Sequence, residues 1–120
     1  MVTIMARNKL LVVYNTCGFS GREHIDWYID CIQNILNQDF EDYRVVVSSC
    51  GNTLPVIKKL IQTFGNQVSY NFINDKITVN MSFNHSVQKC VEEFGEFEGY
   101  LYIDSGINFR DNRNVLKEAY

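Results

Sequence analysis

The sequence predicts an α/β protein in three layers, a mainly parallel four-stranded sheet with helices on both faces. Three observations carry this. Short apolar runs alternate with helical-period stripes along the whole chain. Leu10–Asn15 is continuously apolar up to its final Asn, as a strand buried on both faces reads. Four strands joined by three helices imply parallel pairing with right-handed crossovers.

The elements follow in order. After the first strand, Ser20-Gly21-Arg22-Glu23 has the form of a capping box. Ile25, Tyr28, Ile29, Ile32, Ile35 and Leu36 then recur at helical spacing, and that helix should end near Gln38. Tyr43–Val47 is a second buried strand, closed by Ser48-Ser49-Cys50-Gly51. Thr53 can cap the next helix, with Pro55 in its first turn and Gly65 stopping it. Between them Val56, Ile57, Leu60, Ile61 and Phe64 form its apolar stripe. In the third strand, about Val68–Ile73, Val68, Tyr70 and Phe72 alternate with polar residues, as in an edge or half-exposed strand. Asn80 or Ser82 should begin a third helix carrying Phe83, Val87, Cys90, Val91 and Phe94, and Gly95 stops it. Tyr100–Asp104 is the fourth strand. Asp111 resembles the cap of a last helix with Val115, Leu116 and Ala119 inward.

If the first strand is central and the chain reverses after the third, the strand order is 3-2-1-4. The switch point then lies between the first and fourth strands, where open α/β sheets bind ligands. That topology brings Tyr14–Gly18 beside Asp104–Phe109, with Ser48–Gly51 alongside. Asp104, followed by Ser105-Gly106, is also what a simple turn contains, so its weight comes from its position in the sheet.

Composition narrows the function classes. The chain has 120 residues, 46% hydrophobic and 21% charged, enough for one domain with a real core. A net charge of −3, with Lys58-Lys59 the only adjacent basic pair, argues against a nucleic-acid binder. No apolar run is long enough to span a bilayer, and the first residues do not form a signal peptide, so a cytoplasmic chain is expected. Cys17, Cys31, Cys50 and Cys90 show no metal-ligand spacing. Cys31 and Cys90 fall on apolar helix faces; Cys17 and Cys50 belong near one rim of the sheet, as reduced thiols.

The rim offers one carboxylate, Asp104, with amides and hydroxyls from Asn15, Thr16, Ser48, Ser49, Asn52, Thr53, Ser105 and Asn108. This set suits hydrogen bonding to a base and ribose and does not suit a nucleophilic triad. His24 and His85, the two histidines, both fall on helices; His24 is near enough to the first loop to reach the rim, and His85 should find a local partner. Gly18-Phe19-Ser20-Gly21 has neither dinucleotide-binding nor P-loop spacing.

From Leu10 to Phe109 the chain resembles the nucleotide-sugar-binding half of a GT-A glycosyltransferase of the family 2 type, a Rossmann-like unit. Five landmarks carry the resemblance: Tyr14-Asn15 closing the first strand, Ile32–Leu36 with Asn37-Gln38-Asp39-Phe40, the strand Tyr43–Val47, Phe83-Asn84-His85-Ser86-Val87 opening the third helix, and Tyr102-Ile103-Asp104-Ser105-Gly106 at the place of the family's Asp-x-Asp motif. Their order and spacing are specific together, and none is specific alone.

The resemblance implies sugar transfer from a nucleoside diphosphate sugar to an acceptor, with Mg²⁺ or Mn²⁺ stabilising the leaving diphosphate. By that resemblance Tyr14 and Asn15 would lie by the base and ribose, and Asp104 by the ribose or as the metal ligand; with the rim residues Thr16, Ser48, Ser49 and Ser105, and Asn84 at the third helix, they make the expected donor-binding set. Two departures qualify it. The family's acidic end to the second strand is Ser48-Ser49-Cys50-Gly51, and the second Asp of Asp-x-Asp is Gly106. One base contact and one metal ligand are thus replaced, with Asn108 or Asp111 the nearest substitutes.

The acceptor-binding half and any catalytic base would lie beyond these residues. Residues 1–120 therefore read as one nucleotide-sugar-binding unit, a piece of a longer hexosyltransferase-type enzyme or a free-standing half-domain, inactive by itself. A degenerate GT-A-like domain that binds a ligand or partner without catalysis is the alternative. An unrelated flavodoxin-like module would instead show strand order 2-1-3-4. Apolar surface left uncovered by a half-domain predicts self-association.

Overall fold

The computed structural model describes residues 9–16, 25–51, 54–73 and 78–119. Its elements are β1 (Leu10–Asn15), α1 (Ile25–Leu36), β2 (Tyr43–Cys50), α2 (Leu54–Phe64), a 3₁₀ turn (Gly65–Gln67), β3 (Ser69–Ile73), α3 (Val79–Phe94), β4 (Gly99–Asp104) and α4 (Val115–Ala119). The sheet order is β3-β2-β1-β4, and all three pairings are parallel. This is the expected 3-2-1-4 order, and it excludes 2-1-3-4.

The sheet divides the core in two because alternate β residues face opposite sides. Leu10, Val12 and Tyr14 meet Tyr28, Cys31, Ile32 and Ile35 of α1, Ile57, Leu60 and Phe64 of α2, and Leu116 of α4. Leu11, Val13 and Val46 meet Cys90 and Phe97 on the other face, with Phe83, Val87, Val91 and Phe94 packed around them. Every side chain of β1 is buried, which explains its unbroken apolar run. Gly65 (φ +54°) and Gly95 (φ +88°) terminate α2 and α3 in backbone conformations that side chains disfavour. The Gly95 N–H also closes on Val91 O.

Several boundaries differ from the sequence expectation. β2 runs on through Ser48, Ser49 and Cys50, because the two serine hydroxyls find buried partners and need no loop. α3 is capped by Thr78, whose Oγ1 accepts from Met81 N, and not by Asn80 or Ser82; Ser82 is buried. Asn71 of β3 is buried under α3 instead of facing solvent. α4 begins only at Val115, after Asn112 Oδ1 has accepted from Asn114 N, so Asp111 is not its cap. Leu116 is buried, whereas Ala119 is exposed. The Ser20–Glu23 capping box, His24, Cys17, Gly18–Gly21, Asn52 and Thr53 lie outside the described residues.

Candidate functional site

The C-terminal ends of the four strands carry a polar row at one register level. Asn15 is paired with Ser48 on one side and Asp104 on the other, and Ser48 is paired with Asn71. All four side chains share the α3 side of the sheet by strand alternation. The row therefore crosses the whole sheet, with the switch point between Asn15 and Asp104.

Under α3 the row is closed by a chain of hydrogen bonds. The Asn71 amide donates to Ser86 Oγ at 2.8 Å and meets His85 Nδ1 at 3.0 Å. Ser86 Oγ donates to Ser48 Oγ at 2.8 Å, and Ser48 Oγ bonds Ser82 Oγ at 2.5 Å. Both Asn71 protons are used if His85 Nδ1 accepts, which puts the proton of a neutral ring on Nε2. Buried hydroxyls need such partners, since each unmet one costs about 1–3 kcal/mol. At the β4 end, Asn15 Nδ2 donates to Tyr102 Oη at 3.1 Å, and the Tyr102 ring packs edge-on to Phe83 of α3 at 5.9 Å.

The opposite side of the rim is held differently. Thr16 donates from both its N and its Oγ1 to Ser48 O, and its Oγ1 also bonds Ser49 Oγ. The Ser105 carbonyl accepts from Trp27 Nε1 at 2.7 Å and from Tyr14 Oη at 3.3 Å. Burial, and then the hydrogen bond with Cys31, raise the Tyr14 phenol pKa far above its ordinary value, so it stays a proton donor. Asp104 Oδ1 accepts from Ser105 Oγ at 3.3 Å and Gly106 N at 3.5 Å, and Ile107 N closes the turn on Asp104 O at 2.9 Å.

Of the eight residues expected at a donor site, Tyr14, Asn15, Thr16, Ser48, Ser49 and Ser105 are buried, while Asn84 and Asp104 are exposed. Seven of them converge on the strand ends; Asn84 lies on α3, next to Phe83. Asp104 is thus the exposed carboxylate of the row, on a frame of buried polar neighbours. Asn108, one of the two expected substitutes for the lost ligand, has its side chain engaged elsewhere. Asn108 Oδ1 accepts from Asn34 Nδ2 and Arg110 N, and its Nδ2 donates to Asp30. Among the described residues, no group of three or more His, Cys, Asp or Glu is gathered as a metal site. One carboxylate with diphosphate oxygens is nevertheless a ligand set that Mg²⁺ accepts.

Sequence reasoning missed Asn71, Ser82 and Ser86. Their signal was a pair of serines four apart on the apolar side of a helix, opposite an Asn in a strand. It also missed Trp27, Asn34 and Gln38, which bond the segment after β4.

No protein-family model matches the chain, and no curated protein matches it. A solved structure does: that of residues 1–349 of TarS from S. aureus, a glycosyltransferase, with a TM-score of 0.58 at 16% identity. The match covers 92% of this chain and 31% of that one, so the chain spans under a third of that protein's structure. No helix among the described residues is long and apolar enough to cross a membrane. The four parallel strands and their 3-2-1-4 order are a Rossmann-like α/β fold, and this neighbour shares it.

Proposed function

We propose that this chain is the donor-binding part of a GT-A glycosyltransferase, one that moves a sugar from a nucleoside diphosphate sugar to an acceptor. The observation that carries the reading is Asp104. It is an exposed carboxylate at the end of β4, in register with Asn15 of β1, at the point where the strand order reverses. Asp104 would hold Mg²⁺ or Mn²⁺, which would offset charge on the departing diphosphate. Asn15 and Ser48 would underlie the base and ribose, with Asn84 at the helix side. An acceptor and any catalytic base would be supplied from outside these residues.

Calorimetry with UDP-, GDP-, CDP- and dTDP-sugars, with and without Mn²⁺, tests this. At least one donor should bind with Mn²⁺ present, and Asp104→Asn should weaken it by roughly tenfold, as expected for loss of a charged ligand interaction. Failure of every donor to bind would overturn the reading.

A second reading, a binding domain without catalysis, draws support from Ser48, Ser49 and Gly106 standing where acids would be expected. Sugar transfer that disappears in Asp104→Ala would eliminate it.

A further inference from the structure

We infer that α1 is a template that aims Asp104, with Trp27 as the positioning residue at its head; this rests on the donor-binding reading above. Trp27, Asp30 and Asn34, spaced three and four apart, form one stripe along α1, and Gln38, four further on, continues it just past the helix end. That stripe is distinct from the apolar one of Tyr28, Cys31, Ile32 and Ile35. Each member bonds the segment after β4, and the contacts follow chain order. Trp27 Nε1 donates to Ser105 O at 2.7 Å. Asp30 Oδ2 accepts from Asn108 Nδ2 at 2.6 Å, and Asn34 Nδ2 donates to Asn108 Oδ1 at 2.8 Å. Gln38 donates to Asn112 O at 2.6 Å and accepts from Leu116 N at 3.0 Å. Residues 105–116 are therefore a strap tied to α1 rung by rung.

The first rung bears on the site. Ser105 directly follows Asp104, and its carbonyl is held by two donors, Trp27 and Tyr14. The same peptide region presents Ser105 Oγ and Gly106 N to the Asp104 carboxylate. Fixing this turn before a ligand arrives removes part of the ordering cost of binding. Trp27 itself acts only through Ser105.

Trp27→Phe keeps an aromatic ring and deletes the N–H. Amide exchange at Ile107, whose N–H closes the turn on Asp104 O, should quicken about tenfold, with β1 and β2 amides unchanged, since one good hydrogen bond is lost locally. Binding of UDP, GDP, CDP or dTDP with Mn²⁺, whichever the wild type binds, should weaken about fivefold. Asn108→Ala, one rung further away, should weaken it only about twofold and keeps the test open if the Phe variant does not fold. Trp27 is the one tryptophan in the chain, so its emission should change on binding in wild type and not in Asp104→Ala.

Unchanged Ile107 exchange overturns the inference. So does unchanged affinity in Trp27→Phe when the wild type binds, or a larger loss from Asn108→Ala than from Trp27→Phe. If the wild type binds no nucleotide, the donor-binding reading falls, and Ile107 exchange still decides whether α1 holds the turn.

Discussion

Residues at the rim divide into those that meet solvent and those that hold them in place. Ser86 belongs to the second kind: it accepts from Asn71 and donates to Ser48, with no exposed surface. Ser86→Ala removes both bonds and leaves the Asn71 amide one partner short. The cost should be about 1–3 kcal/mol in urea denaturation, because the orphaned group stays buried. Asn15 and Ser48 were legible in the sequence as strand-end polar residues; their burial was not, because a strand end looks the same whether or not a helix covers it. Cys90 makes a separate point. Burial, with Glu93 nearby, pushes its thiol up to about 11, from an ordinary 9.0. The unfolded chain then loses this proton at a lower pH than the folded one. The resulting stability is complete below about pH 9 and drains away as pH rises towards about 11, by something on the order of 2 kcal/mol. Denaturation curves at pH 8 and 10.5 should separate strongly in wild type and less in Cys90→Ala.

Elements were read best where one period dominated. The apolar stripe of α1 gave the helix and its buried face, and β1 declared itself by burial on both sides. The second, polar stripe of α1 went unread because Trp27, Asp30, Asn34 and Gln38 share a spacing but not a chemistry. Only the strap that they bond makes them a set. The same strap explains why α4 starts late: residues up to 113 are engaged with α1 and with the residues just after it, including Asp39 N to Arg113 O and the Arg113–Asp39 ion pair at 2.8 Å. That pair is half exposed at both ends and contributes little. Gln38 contributes more. It is buried, and its side chain bonds Asn112 O, Asn34 O and Leu116 N. Gln38→Ala should destabilise by about 2 kcal/mol, since Asn112 O and Leu116 N lose their partner where water enters poorly. Hydrogen exchange should quicken at Leu116 before it does in β1, separating release of the strap from global unfolding.

At the scale of the molecule, strand order was recoverable because parallel pairing and a central apolar strand leave few topologies open. The order puts β4 at one edge of the sheet and β3 at the other. Edge strands offer backbone groups to a neighbour unless charge or cover blocks them. β4 carries little charge: its sequence is Gly-Tyr-Leu-Tyr-Ile-Asp, and the one acid is at its far end. Tyr100 is 41% exposed, and Ile107, just beyond the strand, is 50% exposed, so apolar surface continues along this side. A surface of that kind recruits a partner, and a second copy of the chain is always at hand in a purified sample. Weak self-association through β4 is therefore the expected behaviour, visible as a sedimentation coefficient that rises with concentration across roughly the micromolar to millimolar range typical of small interfaces. Tyr100→Lys places a charge on the exposed edge and should remove the rise, with a small fall in the unfolding midpoint because the ring packs edge-on to Phe97 at 5.9 Å and its Oη accepts from Phe97 N at 3.4 Å. A wild-type monomer at every concentration would refute the expectation. An association unaffected by Tyr100→Lys would move the interface elsewhere, to the exposed Met81 of α3 or Ile61 of α2.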